Sequence, residues 1–394
     1  MKVNIETQLI CVDKKYIRGV PLYIINLIKA LENRRNNEYS YSFFDYNKER
    51  GNRGYIETYI GDYIRKESIR ECNTLNYKKV IEGMNNLDSS LYDEKTYEEY
   101  IGETPDICHF PSVACFPLNV HCKMAITVPD IMPVIPSFSK YWTDFHVSIF
   151  KNSLNYVKNH ENINLIAISE HTKKDLMEYA DIDRNRIFVT PLGIDTSTIF
   201  PDDSTKARQD LGIEGPYIIY LGAIDYRKGI DCIIKAFDIV KEKIRDLKLV
   251  LAGNTEQIYK DRFSECLSES KNIDDIIITG YVSEKYKREL ISNAEIFLFP
   301  SEYEGFGLPI LEAMACHTPV VTTAVSSIPE VGGDAVLYSE VNKEESLAEQ
   351  VINILESNDL KNKLILKGIE RLKEFSWDKT AESTENVYKM IKNS

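Results

Sequence analysis

The residues best placed to do chemistry fall in one stretch, Phe297-Leu298-Phe299-Pro300-Ser301-Glu302-Tyr303-Glu304-Gly305-Phe306-Gly307-Leu308-Pro309-Ile310-Leu311-Glu312. An apolar run ends at Pro300, a glycine-containing loop follows, and a helix is expected from Leu308, because Pro309 costs no hydrogen bond in a first turn. Glu304 then lies in the loop and Glu312 inside the helix, about one turn from its start, so both can face the same mouth. The N–H groups of Gly305, Phe306, Gly307 and Leu308 would point at whatever sits above the helix start, a cradle for phosphate or hydroxyl groups. A second strand-to-helix turn, Leu221-Gly222-Ala223-Ile224-Asp225-Tyr226-Arg227-Lys228-Gly229, sets two cations side by side where a helix dipole also favours negative charge. A guanidinium fork beside an ammonium suits a diphosphate. Taken alone, that turn reads more plainly as a solvated loop with two surface cations.

Both turns hang on short apolar runs bounded by Gly or Pro: Tyr217 to Gly222, Leu247 to Ala252, Ile276 to Thr279, Ile296 to Phe299 and Val320 to Thr322. An earlier series precedes them. It has an extended segment from Lys2 to Ile10, a loop ending at Gly19, a helix from Pro21 to Asn33, and runs at Asp106–Phe110, Met124–Val128, Leu165–Ile168 and Ile187–Val189. Apolar runs alternating with helical stretches imply parallel sheets covered by helices. The expected fold is therefore α/β, two tandem Rossmann-like domains facing a cleft, divided near Phe200-Pro201-Asp202-Asp203-Ser204 into 1–200 and 201–376. Residues 48–104 break the alternation and hold a variable, Tyr-rich region. Within it Tyr55-Ile56, Tyr59-Ile60 and Tyr63-Ile64 predict an amphipathic helix continuing toward Ile69, flanked by Arg53, Arg65, Lys66 and Arg70. It packs on the first sheet, or residues 53–70 form a peripheral membrane contact for a lipid-linked acceptor, an idea weakened by Glu57, Asp62, Glu67 and Glu71.

Over 394 residues, 43% hydrophobic and 28% charged, the composition is that of ordinary globular domains. The net charge of −13 argues against nucleic acid as a partner, so an anionic ligand needs a local positive site. No run of about 18 apolar residues occurs and Met1 to Glu6 lacks a signal-peptide core, which points to a cytoplasmic protein, at most peripheral at the inner membrane surface. The eight cysteines include no CxxC pair. Cys108-His109, Cys115 and His121-Cys122 lack zinc-site spacing and read as buried thiols. Asp181-Ile182-Asp183 reads as turn chemistry rather than a metal motif. No GxGxxG follows the first strand and no GxSxG occurs, which disfavours a dinucleotide-dependent dehydrogenase and a serine hydrolase.

The segment Glu304 to Glu312 resembles the E-x7-E motif of retaining glycosyltransferases of family 4, and Arg227-Lys228-Gly229 resembles that family's basic pyrophosphate loop. Other parts agree in order: Gly19 ahead of the first helix, Ile168-Ser169-Glu170-His171-Thr172-Lys173, Pro191-Leu192-Gly193-Ile194-Asp195, Leu251-Ala252-Gly253, Gly280-Tyr281-Val282 and Phe375-Ser376-Trp377. The likeness runs over nearly the whole chain and is strongest from 165 to 340. It implies the GT-B architecture, with acceptor held mainly by the first domain, donor by the second, and the helix 377–394 crossing back to the first.

Carried over, the resemblance implies that Glu304 accepts from donor-sugar hydroxyls and Glu312 from the ribose. Arg227 and Lys228 would neutralise the departing phosphate, Gly19 and the amides of Gly305 to Leu308 would line the donor, and Tyr281 and Val282 would bracket the base. Asp130 stands at the second place of the family's His-Asp pair. No cofactor or metal is implied. The partners would be a GDP- or UDP-linked sugar and a glycan, lipid-linked or glycoprotein acceptor. Two positions depart from the pattern: Pro129 replaces the usual His, and Ala223 the usual Arg. A non-catalytic nucleotide-sugar-binding subunit or a nucleotide-sugar epimerase on the same frame are the alternatives.

Overall fold

A computed structural model describes residues 1–11, 19–45, 52–87, 95–114 and 116–394. Cys115 and the stretches 48–51 and 88–94 of the Tyr-rich region lie outside them. The chain divides into unit 1, Met1–Gly193 with Trp377–Ser394, and unit 2, Ile194–Ser376. Residues 200–201, the polar, proline-bearing break in the sequence, lie inside unit 2. Asp202 there pairs with Arg288 at 2.7 Å, and the Arg288 guanidinium sits 4.1 Å from the Phe200 ring centroid.

Unit 1 holds a seven-stranded sheet made of β1 (Lys2–Glu6), β2 (Glu38–Asp45), β3 (Ile69–Asn76), β4 (Ile107–Phe110), β5 (Lys123–Val128), β6 (Ile163–Ala167) and β7 (Ile187–Val189). All neighbours are parallel, in the order β3-β2-β1-β4-β5-β6-β7. Helices cover parallel sheets on both faces, so the polar Asn4 and Glu6 of β1 are buried and must find partners inside. Asn4 does so across the ladder: its Nδ2 donates to Ser40 Oγ at 2.9 Å, and Ser42 Oγ donates to its Oδ1 at 2.8 Å.

That cross-strand network explains why β2, Glu-Tyr-Ser-Tyr-Ser-Phe-Phe-Asp, lacks an apolar strand signature and is missing from the expected series. The extended segment is also shorter than expected, because the chain turns into a 3-10 helix at Gln8–Cys11. The predicted helix toward Ile69 is corrected as well. It spans Asn52–Ile60 and ends where Gly61 N–H meets Glu57 O at 3.0 Å, and Ile69 opens β3, paired with Tyr41 of β2. Ile56, Ile60 and Ile64 of this region are buried, so its apolar stripe is used inside unit 1.

The C-terminal helix Trp377–Asn393 belongs to unit 1. Arg34, at the end of the helix Val20–Arg34, reaches Asp378 at 2.7 Å and the buried Glu385 at 3.1 Å. Tyr388 OH lies 2.6 Å from His109 Nδ1, and Lys123 Nζ donates to Ile391 O at 2.9 Å. Asp181 adopts φ 53° and pairs with Lys158, while Asp183 accepts the Asn185 N–H at 2.9 Å, a turn as expected. Among the described residues no group of three metal-ligating side chains converges, and no helix is long and apolar enough to cross a membrane.

Unit 2 repeats the scheme with β8 (Tyr217–Leu221), β9 (Lys248–Ala252), β10 (Ile276–Gly280), β11 (Ile296–Phe299), β12 (Val320–Thr323) and β13 (Leu337–Ser339). Its order is β10-β9-β8-β11-β12-β13, again all parallel. The chain winds outward from β8 to β10 and then returns to the far side of β8 at β11. The β8/β11 boundary is thus the topological switch point, where open α/β sheets leave a crevice beyond the strands' carboxyl ends.

Candidate active site

Both chemistry-bearing turns issue from that switch point. After β8 the chain passes Gly222 and makes a 3-10 turn at Tyr226–Lys228, capped by Asp225, whose Oδ1 accepts the Arg227 N–H at 3.0 Å. Gly229, at φ 69°, then starts the helix Ile230–Lys243. A side chain there would be strained and would place its Cβ 2.4 Å from Pro300 O, so only glycine lets the β8 and β11 loops close on each other. Glu302 N–H donates to Arg227 O at 2.8 Å across the same seam. Gly253, after β9, is equally constrained, since a Cβ would fall 1.7 Å from Gly222 O.

The seam brings Lys228 and Glu304 together: Lys228 Nζ donates to Glu304 Oε1, and both side chains are largely buried. Lys228 Nζ also stands 5.5 Å from the Phe299 ring centroid. The Glu304 backbone is held from the β12 side, its N–H donating to Ser326 Oγ at 2.9 Å while Ser327 Oγ donates to Glu304 O and to Phe306 O, each at 2.8 Å. Ser326 takes the left-handed φ of 47°, a strained position for serine. Phe306 packs edge-on against Phe375, with centroids 5.8 Å apart. Gly307, at φ 117°, caps the helix Leu308–Ala315, which begins where expected with Pro309 in its first turn.

Glu312 points elsewhere. Its Oε1 accepts from Lys287 Nζ at 2.8 Å, and Lys287 also reaches Glu284 at 2.7 Å. Burial works against the Lys287 ammonium, but Glu312 and Glu284 outweigh it and raise its pKa overall. Lys287, Ser326 and Ser327 are site residues that sequence reasoning missed. The only local signal was the i,i+3 spacing of Glu284 and Lys287 on one helix face.

Arg227 keeps its guanidinium 3.6 Å from Asp225. Tyr281 and Val282 follow β10, two strands from the switch point, Tyr281 exposed and Val282 buried. Gly19 and Asp130 belong to unit 1. Gly19, at φ 57°, precedes the first long helix, and Asp130, just past β5, accepts the Met132 N–H at 3.0 Å. Pro129 contributes only its carbonyl, accepting from Thr172 Oγ1 at 3.2 Å.

Residues 203–371 match the family model described as Glycosyl transferases group 1. That segment, which lies within unit 2, is a group 1 glycosyl transferase region. The chain is 28% identical over 267 residues to the O-antigen chain mannosyltransferase B of Escherichia coli, covering 63% of this chain and 70% of that protein. It is 30% identical over 246 residues to an alpha-maltose-1-phosphate synthase of Mycolicibacterium smegmatis, covering 58% of this chain and 63% of that protein. In structure it is similar to a sucrose-phosphate synthase from Thermosynechococcus elongatus, with a TM-score of 0.73, 19% identity and coverage of 99% and 98% of the two chains. That likeness shows the GT-B fold, two parallel α/β units, as the sequence implied.

Proposed function

We propose that the chain is a retaining, metal-independent glycosyltransferase, moving a hexose from a GDP- or UDP-linked sugar to a hydroxyl of a glycan, lipid-linked sugar or glycoprotein. The observation that carries the reading is the Lys228–Glu304 pair at the β8/β11 switch point. A diphosphate arriving there competes for Lys228, and Glu304, released, turns to the sugar hydroxyls, which a carboxylate accepts without the repulsion it would meet from phosphate. The mannosyltransferase among the relatives supports a hexose as cargo. In this reading unit 2 holds the donor and unit 1 the acceptor. Ile56, Ile60 and Ile64 are spent in the interior, so a lipid-linked acceptor would meet residues 53–70 through polar side chains.

The bond from the sugar's anomeric carbon to the β-phosphate oxygen breaks, its electrons staying on that oxygen. The acceptor hydroxyl oxygen bonds to the same carbon on the face being vacated, and its proton passes to the leaving phosphate. The products are a glycoside and a nucleoside diphosphate. Lys228 and Arg227, preorganised at the switch point, stabilise the growing negative charge, and Glu304 faces the electron-poor ring. Electrostatic groups of this kind are worth about 100- to 1000-fold in rate each.

The test is release of nucleoside diphosphate from a panel of GDP- and UDP-linked hexoses, with and without acceptor, by wild type, Lys228→Ala and Glu304→Ala. Both variants should lose about 100-fold or more in protein that is still folded at the assay temperature, with a lowered thermal midpoint because each leaves its partner's charge unpaired. Full activity in both would remove the site assignment, and a wild type that binds these donors but never turns them over would favour a non-catalytic binding subunit.

A further inference from the structure

Lys287 is a buried cation that the reaction above leaves without a task. Its ammonium sits between Glu312, whose side chain is 10% exposed, and Glu284, which is 73% exposed. A buried ammonium and a buried carboxylate each lose much of their hydration, so neither is tolerated there without the other. The pair is also asymmetric. Lys287 holds Oε1 of Glu312, and no other hydrogen bond to that carboxylate occurs among the described residues, which leaves Oε2 to a ligand. Glu312 lies on the helix that the Glu304 loop leads into, and Lys287 on the helix Glu284–Ser292 that follows the Gly280-Tyr281-Val282 turn. The ion pair therefore ties the two segments that would flank a nucleoside.

We propose that Lys287 is a positioning residue that makes Glu312 a reader of the ribose diol. This rests on the assignment of Glu312 to the donor ribose. A free glutamate side chain samples several rotamers and, beside a diphosphate, is pushed away by like charge. With Oε1 pinned and its charge matched by an ammonium, Glu312 offers one oriented oxygen to the 2′- and 3′-hydroxyls. Lys287 thereby sets the preference for ribo- over dideoxyribonucleotides without touching the nucleotide itself. A purely structural lysine would stabilise unit 2 and leave that preference alone.

The experiment is calorimetric binding to the full chain of UDP or GDP, whichever binds more tightly, and of its 2′,3′-dideoxy analogue. Hydrogen bonds to a charged group are worth about 10- to 100-fold in affinity, so wild type should prefer the ribonucleotide by about that factor. In Lys287→Met the ribonucleotide should weaken toward the analogue while the analogue itself stays nearly unchanged. Because an unpaired Glu312 could cost folding, the Glu312→Gln and Lys287→Met/Glu312→Gln variants complete a cycle. If Lys287 acts through Glu312, adding the second change removes nothing further. Undiminished ribose preference in folded Lys287→Met, or a further loss in the double variant, overturns the role of Lys287 alone. A wild type that binds both nucleotides equally overturns the ribose assignment of Glu312 and this inference with it.

Discussion

His109 should make unit 1 sensitive to mild acid. Its ring lies wholly inside unit 1, Nδ1 2.6 Å from Tyr388 OH and Nε2 2.8 Å from Thr127 Oγ1, and burial pulls its pKa from 6.5 to about 3. Below pH 6.5 the unfolded chain takes up a proton that the folded one refuses until about pH 3, so stability is complete above that window and falls as pH falls through it. At pH 5 the linkage amounts to about 2 kcal/mol, a large part of a typical domain's stability. The only two tryptophans, Trp142 and Trp377, both lie in unit 1, so their fluorescence follows its unfolding. Urea titrations of wild type and His109→Gln at pH 7 and pH 5 give the answer by subtraction, which cancels every other titrating group. The advantage of wild type over the variant should shrink by about 2 kcal/mol at pH 5. An equal advantage at both pH values would refute the claim that this imidazole is held neutral in the folded protein.

Glu6, buried at the carboxyl end of β1, behaves in the opposite sense: burial lifts its pKa to about 8, against the Gln8 N–H bond that lowers it. Its contribution is present at low pH and lost as pH rises from about 4.5 through 8, so Glu6→Gln should stabilise unit 1 by about 1 kcal/mol at pH 5 and about 4 kcal/mol at pH 8. A gain that does not grow with pH in the same fluorescence titration would contradict this. One glycine tests the site seam and another, in unit 1, isolates the cost of backbone strain. Gly229→Ala combines a φ of 69° with a Cβ 2.4 Å from Pro300 O, and should cost unit 2 more than ~2 kcal/mol and weaken nucleotide binding by shifting Lys228. Gly19→Ala meets no described atom within 4 Å of the new Cβ, but φ 57° with ψ −124° lies outside the left-handed helical well, so backbone strain alone should cost ~1–3 kcal/mol in a denaturant titration.

Sequence alone was enough to place five of the six strands of the second sheet; the three-residue β13 was too short to show a pattern. Tyr217 to Leu221 and Ile296 to Phe299 are apolar on every residue because helices cover both faces, and a run of that kind between Gly and Pro has little else it can be. The turns at Arg227-Lys228-Gly229 and Glu304 to Leu308 were legible for a related reason, since Gly229, Gly307 and Pro309 are tied to backbone geometry that few other residues accept. Strand β2 escaped notice because its burial rests on Tyr and Ser satisfied by Asn4, a partner 36 residues away for Ser40. Ser40 could not announce that partner locally.

Tertiary structure decided the pairings. Lys228 and Glu304 are 76 residues apart and meet because β8 and β11 are neighbours across the switch point. Glu312 belongs to Lys287 because one helix follows β10 and the other follows β11. Local sequence records what each segment can do at short range, its backbone angles and the side it buries. Which charge faces which is set by the order of strands in the sheet, a property of the folded chain as a whole.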